Sequence, residues 1–213
     1  MSIDPHLVPH WDTVALVTID VQRDFLSESP YGIAGTTEIL PNLGILAKAF
    51  RGAGRPIVHI VRIYEPGGGN ADLVRRSLLG GGARIAAPGS EGSQLAPGLA
   101  PDAAPELDHA RLLAGETQEL GPREYAIFKP RWGAFYQTPL QDELHRLGVD
   151  SIVFAGCNFP NCPRASIIQA SERDYRVIVA TDALSQGSEQ GLREVSRMGV
   201  QLMTTDDVVN ALG

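Results

Sequence analysis

Four apolar runs, at 14–19, 56–63, 151–155 and 176–180, constrain this chain more than any other feature. They are rich in Val and Ile and continuous rather than alternating. A strand with one face in water alternates polar and apolar residues, whereas one covered on both faces does not. The runs therefore predict parallel strands between two layers of helix. Two further strands are expected at 124–129 and 200–204.

Helical patterns separate the runs. Residues 37–53 carry Ile39, Leu40, Leu43, Leu46, Ala47 and Phe50 at a period near 3.6 and stop at Gly54. Segment 140–147 closes at Gly148, segments 163–174 and 189–198 follow the same pattern, and 206–212 makes a short terminal helix. Strand–helix alternation of this kind predicts a doubly wound, mostly parallel α/β sheet with helices on both faces. Eight barrel repeats do not fit in 213 residues, so one domain over 1–213 is expected. Residues 65–122 depart from the pattern, being rich in Gly, Ala and Pro with one expected helix at 70–79. This excursion reads either as a loose surface insertion or as a lid over a site.

The net charge of −7 and pI near 5.2 argue against nucleic acid or an anionic membrane as partner. The N-terminal residues mix Asp4, His6, His10 and Asp12 among apolar ones, and no run is long enough to span a bilayer. Cys157 and Cys162, the two cysteines, read best as free thiols. A cytoplasmic location is the expectation.

Three residues are placed for chemistry. Asp20 ends the first run, at the carboxyl edge where open parallel sheets bind ligands, and can serve there as a base or simply cap a turn. Lys129 ends the strand at 124–129, as a partner for a carboxylate or as an ordinary surface lysine. Cys162 follows a strand and a short turn and precedes Pro163, which is favoured at the start of a helix. Placed at the N-cap, its thiol would meet unpaired N–H groups and the helix dipole, which favour a thiolate; the alternative is a buried structural cysteine. The five histidines show no metal-ligand spacing, and His59, inside an apolar run, reads as a satisfied core residue. Neither a metal nor a cofactor is expected.

Asp20 in ALVTIDVQRDF, Lys129 in FKPRWGAFYQTPL and Cys162 in VFAGCNFPNCPRASIIQASERDYRVIVATDAL together resemble the isochorismatase-like hydrolases, the cysteine hydrolase group. The resemblance runs over most of the chain. It implies a Cys162 nucleophile, Asp20 as proton acceptor and donor, and Lys129 orienting Asp20. It also implies a cis peptide at Cys157–Asn158, an oxyanion hole from the backbone N–H groups of Asn158 and Cys162, and a homo-oligomer, dimer or tetramer. Nicotinamidases of the group carry a D-x-H…H metal site after the second strand. Val61-Arg62-Ile63-Tyr64-Glu65 offers no such ligands, so nicotinamide is disfavoured. The expected activity is hydrolysis of a small amide, ureido or lactam C–N bond. The alternatives are vinyl-ether hydrolysis, for which Cys162 is superfluous, and a non-catalytic thiol sensor or binding protein. Adjacency to the three motifs nominates Arg23, Phe25, Arg62, Trp132, Tyr136, Phe159 and Asn161 as pocket residues.

Overall fold

A computed structural model describes residues 4–213. Seven strands form one sheet: β1 (Val14–Ile19), β2 (Ile57–Val61), β3 (Gln118–Gly121), β4 (Glu124–Phe128), β5 (Ser151–Gly156), β6 (Arg176–Leu184) and β7 (Gln201–Met203). Their spatial order is β3-β4-β2-β1-β5-β6-β7, and every pairing is parallel except β3 with β4. Seven helices accompany them: α1 (Leu40–Gly52), α2 (Leu73–Gly80), α3 (His109–Leu113), α4 (Leu140–Arg146), α5 (Cys162–Ser171), α6 (Glu189–Ser196) and α7 (Thr205–Leu212).

Successive β1 residues explain why its sequence does not alternate. Ala15, Val17 and Ile19 point into a core shared with α4, α5 and α6, through Leu140, Leu144, Ile167, Ala170 and Val195. Val14 and Leu16 point the other way, into a core shared with α1 and α7 through Leu43, Leu46, Phe50 and Val208. Both faces of the sheet are dry, so both sets of positions must be apolar. Full burial of each such side chain stabilises by about 1.5–3 kcal/mol. Thr18 is the polar exception in β1, and its hydroxyl meets His59 Nδ1 at 2.8 Å. His59 is a satisfied core residue as expected, since its Nε2 lies 2.8 Å from Glu124.

β1 is the switch point, with β2 and β4 laid down on one side and β5, β6 and β7 on the other. In doubly wound sheets the crevice at the carboxyl end of that position receives ligands. The excursion is neither loose nor limited to one helix, because it contains α2, α3 and β3. Gln22 pins it: its amide donates to Arg62 O at 2.8 Å and Ser93 O at 2.6 Å and accepts from Arg62 N at 2.7 Å. The main chain adds Arg23 N to Gln94 O at 3.0 Å and Ala96 N to Val21 O at 3.0 Å. No described helix is long and apolar enough to cross a membrane.

Candidate active site

Gly156 ends β5 with φ +118°, and a Cβ there would sit 2.4 Å from Ile19 O. Only glycine lets the end of β5 approach the end of β1 this closely. Asp20 follows directly on β1 in the left-handed region, at φ 53°. A non-glycine residue held there costs on the order of 1–3 kcal/mol and is tolerated best at sites the surroundings over-determine. Asp20 N–H donates to Ile60 O at 2.9 Å, and Cys157 N–H donates to Ile19 O at 2.8 Å. Asp20 is thereby locked between β2 and β5.

Lys129 follows β4 and is fully buried; its Nζ lies 2.8 Å from Asp20 Oδ2 and donates to Arg131 O at 3.3 Å. The other carboxylate oxygen, Asp20 Oδ1, is buried without a hydrogen-bond partner. Cys162 is the first residue of α5, one place beyond the expected N-cap, which Asn161 occupies. The segment after Lys129 docks on the same helix, through Ala134 N to Ser166 Oγ at 3.0 Å and Phe135 N to Gln169 Oε1 at 3.0 Å.

The thiol departs from the expected thiolate. Burial first, then the charge of Asp20, push it up to about 12, while Lys129 acts in the opposite direction. The residue keeps an exposed edge on the cleft, yet burial of the sulfur disfavours its charged form. The Cys162 thiol and Asp20, whose Oδ1 has no donor, line the same cleft.

The peptide between Cys157 and Asn158 is trans, and no cis bond occurs among the described residues. The resemblance implied a cis bond here, and the structure has a trans one. The N–H groups of Asn158 and Cys162 find no acceptor among the described residues.

A cleft of about 240 Å³ opens over these groups and is lined by Asp20, Cys162, Cys157 and Asn158. Four of the nominated pocket residues line it: Phe25, Arg62, Trp132 and Asn161. Three do not. Phe159 is buried in the core against Gly191, because its N–H is drawn to Ser185 O at 2.9 Å. Tyr136 is 45% exposed and lies outside the cleft. Arg23 turns to Glu91 and a neighbouring surface hollow, its own N–H being tied to Gln94 O. Ile33, Tyr64, Val74, Arg75 and Leu78 line the cleft without having been nominated. Val74, Arg75 and Leu78 belong to α2, so the excursion does wall the site. The only available signal was the covering role considered for 65–122.

No cluster of three metal-ligating side chains exists among the described residues. Where nicotinamidases carry metal ligands, Arg62 points its guanidinium to Lys129 O at 3.2 Å, Tyr64 Oη at 3.1 Å and the Asp72 carboxylate.

A family model described as Isochorismatase domain matches residues 14–120 and 112–207. The Arabidopsis thaliana protein called probable inactive nicotinamidase is 26% identical over 204 residues, covering 93% of this chain and 95% of its own. A ureidoacrylate amidohydrolase of Methylobacterium radiotolerans is 26% identical over 201 residues, covering 89% and 73%. The crystal structure of an isochorismatase family protein from Desulfovibrio vulgaris superposes with a TM-score of 0.78 at 29% identity, covering 94% and 98%.

Proposed function

The chain belongs to the isochorismatase family of hydrolases, and from that premise we propose that it is a cysteine-dependent amidohydrolase acting on a small C–N substrate. The observation that carries this reading is that Asp20, with one oxygen on Lys129 and the other buried without a donor, shares one cleft with the Cys162 thiol.

In this mechanism the substrate carbonyl lies against Cys162, its oxygen toward the N–H groups of Asn158 and Cys162. The thiol is protonated at neutral pH, so its proton leaves as the S–C bond forms, and Asp20 Oδ1 takes it. The tetrahedral oxyanion is received by the two N–H groups. Asp20 returns the proton to the departing nitrogen as the C–N bond breaks, leaving a thioester on Cys162. Water, deprotonated by Asp20, then attacks the thioester, and the released thiolate regains its proton from the same carboxyl. Lys129 keeps the carboxylate oriented and offsets its charge throughout. The cleft is smaller than the roughly 300–1,000 Å³ of sites for drug-sized ligands, which favours a small substrate.

A panel of small amides, ureido acids and lactams scored for ammonia or amine release tests the proposal. Release by the native protein, lost by a factor of at least about 10² in Asp20→Asn, is expected. Release that survives in Asp20→Asn would overturn the proton-transfer role. Vinyl-ether cleavage with no C–N turnover would overturn the reaction class.

A further inference from the structure

The charges around the cleft are unbalanced in a direction opposite to the chain as a whole. Overall the protein carries −7. Asp20, Arg62 and Arg75 line the cleft, with Lys129 and Asp72 held behind them by ion pairs. Each carboxylate already has its partner, Asp20 with Lys129 and Asp72 with Arg62. Arg75 has neither an ion pair nor a side-chain hydrogen bond among the described residues, yet it lines the same cavity as Asp20 and Cys162. Its neighbours on α2, Val74 and Leu78, line the cavity as apolar wall, with Ile33 and Trp132 contributed from elsewhere. Val74, Leu78 and Trp132 are themselves partly exposed, but Arg75 is half-buried, and a half-buried cation is less screened than one in open water and attracts an anion more strongly.

Arg62, its charge met by Asp72, forms the wall beside Arg75. It is only 2% exposed and is held rigidly, its guanidinium lying 4.7 Å from the centre of the Tyr64 ring. A guanidinium presents a planar fork of donors that matches a carboxylate, and Arg75 has that fork unused. The cavity of about 240 Å³ is too small for two separate ligands, so the anion and the scissile carbonyl must belong to one molecule.

We propose that the substrate is a small amide bearing a carboxylate, and that Arg75, with Arg62 behind it, is the specificity-determining residue that receives the carboxylate. This rests on the amidohydrolase reading above and adds the substrate's charge to it.

Iodoacetate and iodoacetamide test it without knowledge of the substrate. They are of similar size and differ by one negative charge. In both reactions sulfur displaces iodide, forming a C–S bond as the C–I bond breaks and the thiol proton goes to solvent or Asp20. Rates are measured at low salt, and peptide mass spectrometry separates Cys162 from Cys157. The readout is the ratio of the iodoacetate rate to the iodoacetamide rate at Cys162. That ratio is expected to fall about tenfold in Arg75→Gln and to stay within about threefold of native in Arg75→Lys. The urea-unfolded chains should all give one common ratio. A ratio in folded Arg75→Gln within twofold of native, with Cys162 still labelled, overturns the carboxylate assignment and leaves the amidohydrolase reading standing. If Cys162 is labelled by neither reagent in the folded protein but by both after unfolding, the thiol is not reachable from the cleft. The amidohydrolase reading then fails, and the carboxylate assignment fails with it.

Discussion

Replacing Lys129 by Met leaves a buried carboxylate without its cation, and the size of the loss follows from the burial of the pair. Lys129 is 0% and Asp20 4% exposed, and Nζ and Oδ2 lie 2.8 Å apart. The other oxygen of Asp20 has no protein donor, and Arg62, the other cation of the cleft near it, is already paired with Asp72. Removing one member of such a pair typically destabilises a protein by about 3–5 kcal/mol, far more than breaking an exposed ion pair. Urea unfolding followed by circular dichroism at pH 7 reads this directly. With a slope near 2 kcal/mol/M, the midpoint should fall by roughly 1.5–2.5 M. The double variant Lys129→Met with Asp20→Asn should recover most of that loss, because the stranded charge is gone while the packing change remains. A single-variant cost below about 1 kcal/mol would refute the argument, since it would mean that water reaches Asp20 freely. Failure of the double variant to recover would mean that Lys129 stabilises through its packed stem rather than its charge.

Three shorter predictions follow from other parts of the molecule. Gly156→Ala should lower stability by about 2 kcal/mol or more, because its Cβ would meet Ile19 O at 2.4 Å and Ile19 N at 2.7 Å; an unchanged urea midpoint would contradict the close approach of β5 to β1. Iodoacetamide labelling of native Cys162 should rise about tenfold per pH unit from 7 to 10 without levelling off, because the thiol is pushed up to about 12; a plateau near pH 7 would show a stable thiolate instead. Burial pushes the Glu124 carboxyl up, but hydrogen bonds from Arg51 and His59 outweigh it and hold the group below its ordinary value. A lowered folded value means stability present above the unfolded carboxyl's pKa and lost as the pH falls through the folded one. Urea midpoints measured from pH 7 downward should therefore fall less steeply in Glu124→Gln than in the native protein, and equal slopes would contradict the assignment.

The centre of the sheet was legible because burial on both faces leaves no choice of residue. Val14 to Ile19 and Ser151 to Gly156 are apolar or small at nearly every position. β3 was not legible. It has four residues, pairs antiparallel at an edge, and points Gln118 inward, where hydrogen bonds to Asp108 N and Glu106 O hold it. The places of Asp20, Lys129 and Cys162 could be read because strand ends and helix starts are marked by where apolar runs stop and by Pro163. Adjacency in sequence could not tell which way a side chain turns. Phe159 is two residues from Cys157 and enters the core, and Arg23 is three from Asp20 and leaves the cleft. Arg75 lies fifty or more residues from any of the three motifs and reaches the cleft because the excursion folds back over the strand ends, held near it by Asp72 on Arg62 and Asn70 on Ile63 O, and further along by Gln22 on Ser93 O. The expected thiolate failed for a related reason: a helix start is visible in sequence, whereas the burial that opposes it depends on what packs around it.

Hydrolysis through Cys162 requires a covalent acyl intermediate on its sulfur. Mass spectrometry of acid-quenched mixtures, taken during turnover of an amide found by the release panel, reads this most directly. The expected result is an adduct of the acyl mass on the peptide containing Cys162, absent from Cys162→Ala, which retains the native circular dichroism and no measurable turnover. Turnover by Cys162→Ala within tenfold of native, with no adduct on the native protein at any time point, would contradict it.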